Sequence, residues 1–451
     1  MLGLKDIKGL KTMLFPPFSL PSKAIFLAMS LFLAIKPAFA GALEDYVNQP
    51  DPHYNWKLTE KKQDSWGTLA HLELVSQHWR NQFWSHHLMV ARPNEVRNPE
   101  IGLLLIAGEG DGERYLERLK MMAQQAGAVA AVITQVPNQP LYNGLKEDAL
   151  IAFTLVQFLK TGDKTWPLLF PMVKSAVRGM DTVQSFVQQA FQQQIEGFVV
   201  AGASKRGWTT WLTGALDPRI KGMAPMVIDM LNMEQQLRWS AKVYGRQSEE
   251  ISDYTELNLH QNQDDPAMVK LRSWIDPYEY RLRYTMPKLL LLGTNDPYWV
   301  VDSLRHYWNE LPAPKLVFQT PNAGHHLGGG EEAMQTLAAF FQMIADGEEL
   351  PKMEWKLQPG AAGEASVKVS GDQTARAIRL WTATSADRDF RDERWSSRNL
   401  KILPGSSYAA AQVDIPKQGY RAYLFEVEMT TSAGHRYKLS TEARVLPDDI
   451  K

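Results

Sequence analysis

The chain lacks cysteine entirely, since none of its 451 residues is one. Disulfide bridges, thiolate metal sites and a thiol nucleophile are therefore excluded, so any catalysis rests on oxygen and nitrogen groups. An excess of one charge is also lacking, because 49 Lys and Arg residues stand against 50 Asp and Glu residues. This balance gives no reason to expect a nucleic-acid partner or a disordered acidic tail. The sequence shows no repeat, metal-ligand cluster or nucleotide-binding loop, and we expect no cofactor.

The N-terminal apolar run is too short to cross a membrane. Residues 24–35 form this run, whereas a transmembrane helix needs roughly 20 apolar residues. Four lysines precede it and Ala38-Phe39-Ala40 follows it, which is the pattern of an export signal with an A-x-A cleavage site. We therefore expect residues 1–40 to be a signal peptide of a periplasmic or secreted protein, with no stable membrane span after cleavage. An uncleaved anchor is the alternative, and Met13 is an alternative start.

Short apolar runs alternate with helical patterns along the middle of the chain. The apolar runs are typical of strands buried on both faces, and they occupy residues 101–107, 128–134, 198–201, 222–228, 287–293 and 315–319. Helical patterns occupy residues 147–160, 168–191, 208–216 and 302–311. This alternation predicts a mostly parallel, doubly wound sheet. Residues 69–79 and 85–91 alternate in polarity and predict an antiparallel edge to it.

A serine stands on the turn between one of these strands and the next helix. Residues 197–208 read Gly-Phe-Val-Val-Ala-Gly-Ala-Ser-Lys-Arg-Gly-Trp, which predicts that Ser204 occupies the nucleophile elbow of an α/β-hydrolase fold. Gly202 fits the G-x-S-x-G pattern, but Arg206 occupies the position of the second glycine and Gly207 comes one residue late. The alternative is a Gly/Ser loop in which Ser204 is an ordinary helix N-cap.

An acid and a histidine follow Ser204 in the chain order of this fold. Asp296 comes after the apolar run 287–293, and His325 comes after the run 315–319. A serine nucleophile needs a base to take its proton and an acid to orient that base, so we predict a catalytic triad of these three residues. Asp229 remains an alternative acid and His326 an alternative base. We favour His325 because Gly324 suits a loop that brings the ring onto the serine.

Two backbone donors are expected to stabilise the negative oxygen of the transition state. The N–H of Lys205, directly after the serine, is the first. The second should come from the Gly-rich loop around Glu109 and Gly110, because in this fold the loop after the third strand supplies it. Gly-rich turns are common, so this second assignment depends on the rest of the pattern.

Two regions depart from the alternation of strands and helices. Residues 230–286 are polar and aromatic-rich, and hydrolases of this fold often insert a helical cap at this point. We expect substrate contacts from aromatic residues in and near it: Trp239, Trp274, Tyr278 and Trp299. Residues 351–451 consist of short alternating strands, which predicts a β-sandwich of immunoglobulin or fibronectin type. We therefore divide the chain into a signal peptide (1–40), a hydrolase domain (41–350) and this C-terminal domain.

Three blocks resemble a known family: residues 201–208, residues 293–299 (Gly-Thr-Asn-Asp-Pro-Tyr-Trp) and residues 321–326 (Pro-Asn-Ala-Gly-His-His). Together they resemble the PhoPQ-activated pathogenicity-related proteins, a family that also includes the autocrine proliferation repressor proteins. The resemblance covers nearly all of the mature chain. It implies an exported α/β-hydrolase-like protein, linked in bacteria with virulence and resistance to antimicrobial peptides, and supplies no settled substrate. The elbow is also similar to that of glucuronoyl-type carbohydrate esterases, which likewise place the glycine one residue late.

Two functions from different classes are compatible with these patterns. The first is an exported serine hydrolase that cleaves an ester or amide of a small molecule or peptide through an acyl-enzyme. The second is a non-catalytic binding or signalling protein on a hydrolase scaffold, favoured by Arg206 and by the repressor members of the family. A remote third is a carbohydrate-binding protein that uses its β-rich tail.

Overall fold

The computed structural model describes residues 41–357, 363–371, 374–403 and 406–450. The predicted signal peptide lies outside the described residues. The helices are α1 Ala42–Asn48, α2 Leu116–Ala126, α3 Glu147–Thr161, α4 Leu169–Phe191, α5 Lys205–Leu216, α6 Met233–Tyr244, α7 Ser252–Thr255, α8 Pro266–Ile275 and α9 Glu331–Ala345. The strands of the main sheet are β1 Asn55–Gln63, β2 Gly67–Trp79, β3 Gln82–Pro93, β4 Ile101–Ile106, β5 Val129–Ile133, β6 Gly197–Ala203, β7 Ile220–Met226, β8 Lys288–Gly293 and β9 Lys315–Thr320.

The main sheet has the strand order β1-β2-β3-β5-β4-β6-β7-β8-β9. β1, β2 and β3 are antiparallel to their neighbours, whereas every pairing from β5 to β9 is parallel. β4 and β5 are exchanged along the sheet, and β6 to β9 then follow one another in chain order. This is the topology of the α/β-hydrolase fold. The predicted fold class is therefore confirmed, including the antiparallel edge.

Both faces of the parallel strands are covered by helices, which explains their continuous apolar sequences. Along β4, Leu104 packs into the core on the side of α4 and α5, and Leu103 packs into the core on the side of α2 and α9. Val200 and Val199 of β6 divide in the same way. Since successive side chains of a strand point to opposite faces, both must be apolar here.

The segment between β7 and β8 contains α6, α7 and α8 and two 3-10 turns, and it lies over the carboxyl end of the sheet. Asp265 caps α8 by accepting backbone N–H groups of Ala267 and Met268. Asp276 is buried and accepts the backbone N–H of Met233 at the start of α6, at 2.8 Å. One carboxylate therefore ties the two ends of this cap segment together.

The C-terminal strands form two antiparallel sheets. They are β10 Lys352–Lys356, β11 Gly363–Ser370, β12 Ala377–Ser385, β13 Ser396–Asn399, β14 Tyr408–Val413, β15 Tyr420–Thr430, β16 Arg436–Ser440 and β17 Arg444–Leu446. One sheet has the order β10-β11-β14; the other has the order β13-β12-β15-β16, with β17 also on β15. Alternate side chains of both sheets, such as Val367 and Phe425, join the core that α9 covers.

One predicted helix is wrong. Residues 302–311 form two 3-10 turns, Ser303–His306 and Trp308–Glu310, rather than a continuous helix. Tyr307 between them has φ −151° and ψ −19°, which is outside the helical region. Its hydroxyl is held by the buried Asp229, so a tertiary contact overrides the local helical pattern.

Candidate active site

Ser204 occupies the sharp turn between β6 and α5. Its φ of 57° and ψ of −126° are unusual for a residue with a side chain, and such strain is typical of functional positions. The strand ends at Ala203 and the helix begins at Lys205. The hydroxyl therefore stands at the carboxyl edge of the parallel sheet, at the N-terminal end of α5.

Close backbone packing explains why this elbow needs glycines at its two positions. A Cβ atom on Gly202 would lie 2.5 Å from the carbonyl oxygen of Arg206. A Cβ atom on Gly207 would lie 2.7 Å from Cγ2 of Ile228 and 2.9 Å from the carbonyl oxygen of Met226. The late glycine is thus the residue that lets α5 approach β7, so the departure from G-x-S-x-G preserves the packing of the motif.

Arg206, which replaces the usual second glycine, is buried and fully engaged. Its Nε donates to the carbonyl oxygen of Val136 at 2.5 Å, and its two terminal nitrogens donate to Glu147 at 2.6 and 2.7 Å. Burial alone raises the pKa of Glu147, but Arg206 and Lys205 lower it to about 2. The guanidinium also lies against Gly108, where a Cβ atom would be 2.5 Å from it. Arg206 therefore connects the elbow to the loop after β4.

The structure brings Asp296 and His325 together. His325 Nδ1 lies 2.9 Å from Oδ2 and 3.1 Å from Oδ1 of Asp296. The acid is buried and also accepts the backbone N–H of Tyr298 at 3.0 Å. The ring of Tyr298 lies on that of His325, with centroids 4.3 Å apart. Two contacts therefore fix the imidazole, one at its edge and one at its face.

The other ring nitrogen of His325, Nε2, is not used by the contact with Asp296. Nε2 is buried and has no hydrogen-bond partner in the described ranges, and Ser204 and His325 line the same cleft. In enzymes without substrate, the bond between nucleophile and base is often long and tightens only in the substrate complex. Nε2 of His325 is therefore available as a hydrogen-bond acceptor in the cleft that Ser204 also lines.

Asp229 and His326, the alternative acid and base, do not take part in the contact between Asp296 and His325. Asp229 is buried and accepts the Tyr307 hydroxyl at 2.6 Å; burial raises its pKa to about 8. His325 is not among its hydrogen-bond partners in the described part of the chain. His326 is exposed at the rim of the cleft. Of the candidates, Asp296 and His325 are the pair that the structure joins.

Ser204 lies between two cavities of different character. A polar cleft of about 770 Å³ contains His325, His326, Glu109 and Arg114. A more enclosed cavity of about 130 Å³ lies under the cap segment, with a mainly apolar lining. Ser204, Lys205 and Tyr298 border both of them. Ser204 therefore stands at the junction of the two cavities.

Of the three residues predicted to supply oxyanion donors, Lys205 and Glu109 line the polar cleft and Gly110 does not. Lys205 is the first residue of α5, where backbone N–H groups have no partner within the helix. Glu109 lines the polar cleft beside Gly108. Gly110 is not among the lining residues, and its carbonyl oxygen accepts the Thr134 hydroxyl at 2.6 Å. The stretch that borders Ser204 therefore lies slightly earlier in the loop than the sequence suggested.

Of the four aromatic residues expected to contact substrate, only Trp299 lines either cavity at Ser204. Trp239 donates to the buried Asp302 at 2.9 Å and packs against Arg388. Trp274 packs among Phe158 and Phe170, and Tyr278 donates to Glu310. These three residues stabilise the cap and its packing against neighbouring elements, because a large aromatic ring at helical spacing is usually part of a hydrophobic core.

Tyr298, Tyr254 and the side-chain contacts of Lys205 were missed from the sequence. Tyr298 lies within the Asn-Asp-Pro-Tyr-Trp block, so its position two residues after the acid was the available signal. Lys205 makes ion pairs with Glu147 at 3.0 Å and Asp148 at 2.9 Å. Tyr254 donates to Asp148 at 2.9 Å. The two acids open α3 and looked like ordinary first-turn residues of a helix, so no local signal separated them.

Within the described residues, no group of three or more His, Asp and Glu side chains could hold a metal ion. In the same part of the chain, no helix combines the length and the apolar character that a membrane span requires.

Comparison with known proteins identifies the family. A model of the PhoPQ-activated pathogenicity-related proteins matches residues 43–391. Autocrine proliferation repressor protein A of Dictyostelium discoideum is 30% identical over an alignment of 468 positions, gaps included, which covers 94% of this chain and 94% of that protein. Acetyl xylan esterase 1 from Thermoanaerobacterium sp. is 17% identical with a TM-score of 0.49, over 67% of this chain and 92% of that one. An acetyl xylan esterase from Paenibacillus sp. is 17% identical with a TM-score of 0.46, over 66% and 91%.

The resemblance seen in the three sequence blocks is thus confirmed over most of the chain. The chain belongs to the PhoPQ-activated pathogenicity-related protein family.

Proposed function

We propose that this protein is a serine hydrolase that cleaves an ester or amide through an acyl-enzyme. The observation that carries the proposal is the geometry at the sheet edge. Ser204 stands in a strained turn at the start of α5, and a histidine with a free nitrogen lines the same cleft. That histidine is held at its other nitrogen by a buried carboxylate. This is the set of roles that acyl transfer by serine requires.

The reaction follows from these positions. Ser204 Oγ attacks the carbonyl carbon of the substrate while its proton passes to His325 Nε2. The bond from that carbon to the leaving oxygen or nitrogen then breaks, and the leaving group takes the proton from His325. Water, deprotonated by the same nitrogen, attacks the carbonyl carbon of the acyl-enzyme. The bond to Ser204 Oγ then breaks, Oγ takes the proton back from His325, and the acid is released. Asp296 stays ionised, keeps Nδ1 protonated and stabilises the imidazolium.

The backbone of α5 supplies electrostatic stabilisation. The N–H of Lys205 points along the helix axis from a terminus that carries a partial positive charge. A second donor from the loop at Gly108 and Glu109 borders the same cleft. Removing one donor of such a pair costs about 10²–10³-fold in kcat, so this contribution is comparable with that of the base.

Activity-based labelling tests the proposal directly. Folded protein should react with a fluorophosphonate probe at Ser204, and Ser204→Ala should abolish labelling without changing the thermal midpoint. His325→Ala should slow labelling by about 10³-fold or more. Unlabelled wild-type protein of native stability would defeat the proposal.

A second candidate function is favoured by one observation. The Dictyostelium relative is named a proliferation repressor, which motivates a non-catalytic role on the same scaffold. In that case Ser204→Ala would retain full biological activity. Loss of that activity in the folded variant would favour catalysis instead.

We also retain export and a peptide or ester substrate as parts of the proposal. The motive for export is the pattern of residues 1–40, and N-terminal sequencing of the mature protein tests it. A mature chain beginning near residue 41 is expected. Parallel panels of esters and peptides tell the two substrate classes apart, since the leaving group is an alcohol in one and an amine in the other.

A further inference from the structure

The cavity under the cap has a mainly apolar lining, in which Nδ1 of His260 and Nε1 of Trp299 are buried polar atoms without a hydrogen-bond partner in the described residues. Twelve of its lining side chains are Leu, Ile, Met or Trp. Among the polar ones, Arg272 donates to Gln263, and Gln236 donates to two backbone carbonyl groups. Lys205 and Tyr254 are both held by Asp148. What the cavity offers a ligand is therefore mainly hydrocarbon surface.

The position of His325 decides which part of a substrate enters this cavity. The histidine must deliver a proton to the leaving group, so the leaving group lies on the side of the imidazole. His325 lines the polar cleft and not the apolar cavity. The acyl group, on the other side of the carbonyl carbon, is left facing the apolar cavity.

We propose, on the basis of the serine hydrolase function above, that this cavity binds the acyl group of the substrate, and that the acyl group is apolar and of medium length. A cavity of ~150 Å³ lined by Leu, Ile and Phe holds a benzene molecule. The volume here is about 130 Å³, which suits an unbranched acyl group of about six carbons or a small branched or aromatic one. The polar cleft leaves the alcohol or amine side open.

A series of p-nitrophenyl esters from acetate to decanoate tests the inference. Each buried methylene contributes about 0.8 kcal/mol, so kcat/KM should rise about fourfold per methylene until the cavity is filled near six carbons. A second series varies the alcohol at constant hexanoate and should show a much smaller dependence on length.

Two neighbouring residues of α8 provide a matched pair of variants. Met268 lines the cavity, whereas Val269 is exposed. Met268→Trp should lower kcat/KM for hexanoate at least tenfold while leaving acetate within about threefold. Val269→Trp should leave the whole profile unchanged.

The outcomes separate the inference from the function on which it rests. Labelled enzyme that prefers acetate, or that responds to alcohol length instead, overturns the acyl assignment. An unchanged profile in Met268→Trp does the same. Protein that neither labels nor hydrolyses any ester shows that the hydrolase function itself is wrong.

The segment 388–395, between β12 and β13, is hydrogen-bonded to the two loops that carry Asp296 and His325. Asn295, directly before the acid, donates its side-chain amide to the carbonyl oxygens of Phe390 at 3.0 Å and Glu393 at 2.7 Å. Asn322, three residues before His325, exchanges two hydrogen bonds with the backbone of Trp395, at 3.0 and 2.7 Å. The loops that carry the acid and the base are therefore both bonded to one C-terminal segment.

The same segment is anchored in the core and also reaches the cap. Phe390 and Trp395 are buried with Val301. Arg391 makes an ion pair with Glu249 at 3.0 Å and lies 4.1 Å from the ring centroid of Tyr244. Since Phe390 and Trp395 are fixed by packing, their backbone groups are rigid partners for the two asparagines.

We infer that Asn295 and Asn322 are positioning residues, through which the C-terminal region sets the distance between Asp296 and His325. This function adds to the packing of the tail and likewise rests on the proposed hydrolase. Asn322 has a φ of 57°, so Asn322→Gly removes the side chain without backbone strain.

Kinetics per active site distinguish positioning from general destabilisation. Asn295→Ala and Asn322→Gly should each lower kcat about tenfold per site titrated with fluorophosphonate, at unchanged KM. Asn399→Ala, an exposed position on β13, serves as the control and should match wild type. The low-field proton resonance of His325 Nδ1–H should be lost in both loop variants, and this readout needs no activity. Unchanged kcat per titrated site together with an unchanged resonance overturns the inference.

Discussion

The tautomer of His325 depends on a single carboxylate. Asp296 contacts Nδ1 with both oxygens, whereas Asp229, one strand away, is occupied by Tyr307. We predict that Asp296→Asn lowers kcat by about 10³–10⁴-fold, because an amide at this position favours the wrong tautomer. Asp229→Asn should keep kcat within about threefold, since it does not touch the imidazole. Steady-state kinetics on the best ester measures both, and an equal loss in the two variants would contradict the assignment.

Asp229 should instead affect stability as a function of pH. Its pKa of about 8 in the folded state lies above its ordinary value of 3.8. Between these values the folded chain binds a proton that the unfolded chain releases, so raising the pH destabilises the wild type. Asn cannot titrate. We predict that Asp229→Asn gains about 1 kcal/mol of unfolding free energy relative to wild type for each pH unit between about pH 5 and pH 7.

Urea unfolding of both proteins at the two ends of this range measures the gain. A difference between variant and wild type that stays constant with pH would mean that Asp229 is ionised in the fold.

Residue positions were predictable where they follow the ends of strands. Ser204, Asp296 and His325 follow the ends of β6, β8 and β9 by one, three and five residues, so the topology gathers them at one edge. The contacts of Arg206 were not predictable, because Glu147 and Val136 lie far away in sequence and no sequence periodicity connects them with Arg206. The aromatic residues of the cap could not be sorted into core and lining without the packing itself.

At the scale of elements, the N-terminal ends of α3 and α5 are joined by ion pairs beside Ser204. Arg206 and Lys205 of α5 both contact Glu147 of α3. Breaking a buried pair by removing one partner costs about 3–5 kcal/mol, but 37% of the Glu147 side chain is exposed, so water screens the charge that remains. We predict that Arg206→Met lowers the unfolding free energy by about 2 kcal/mol.

The double variant identifies the source of this loss. With Glu147→Gln added, no uncompensated carboxylate remains, and Lys205 keeps Asp148 as a partner. The double variant should therefore be more stable than Arg206→Met alone, as measured by chemical denaturation. If the two losses simply add, the pair does not couple the helices.

Elements were predictable from the sequence to the extent that their patterns are long and periodic. α3 and α4 begin within one residue of the predicted positions because their apolar spacing spans several turns. Near the end of the strand-rich region, β16 and β17 are separated by residues 441–443, where the Thr441 hydroxyl accepts the backbone N–H of Phe425 on the neighbouring strand. Such a division depends on a partner strand, which local pattern does not contain.

At the scale of the whole described chain, the C-terminal sheets and the main sheet share a core. Gln319 of β9 accepts the backbone N–H of Ala443 and donates its own to Ser440. Arg388 and Asp302 form a fully buried ion pair across the same junction, at 2.9 Å. Residues 41–451 form one compact unit. Neither part can lose its packing without exposing the core of the other.

We therefore predict that heating unfolds residues 41–451 in one cooperative transition, although the sequence divides them by pattern near residue 350. Calorimetry should give equal calorimetric and van't Hoff enthalpies. Arg388→Met leaves Asp302 with Arg305 and Trp239 as partners. This variant should lower the unfolding free energy of the whole unit by about 3 kcal/mol and should still unfold in a single transition. Two resolved transitions, in wild type or in this variant, would mean that the tail is an independent folding unit. In that case its hold on the acid and histidine loops would also be weaker than the buried contacts imply, because a tail that unfolds first releases Asn295 and Asn322 together.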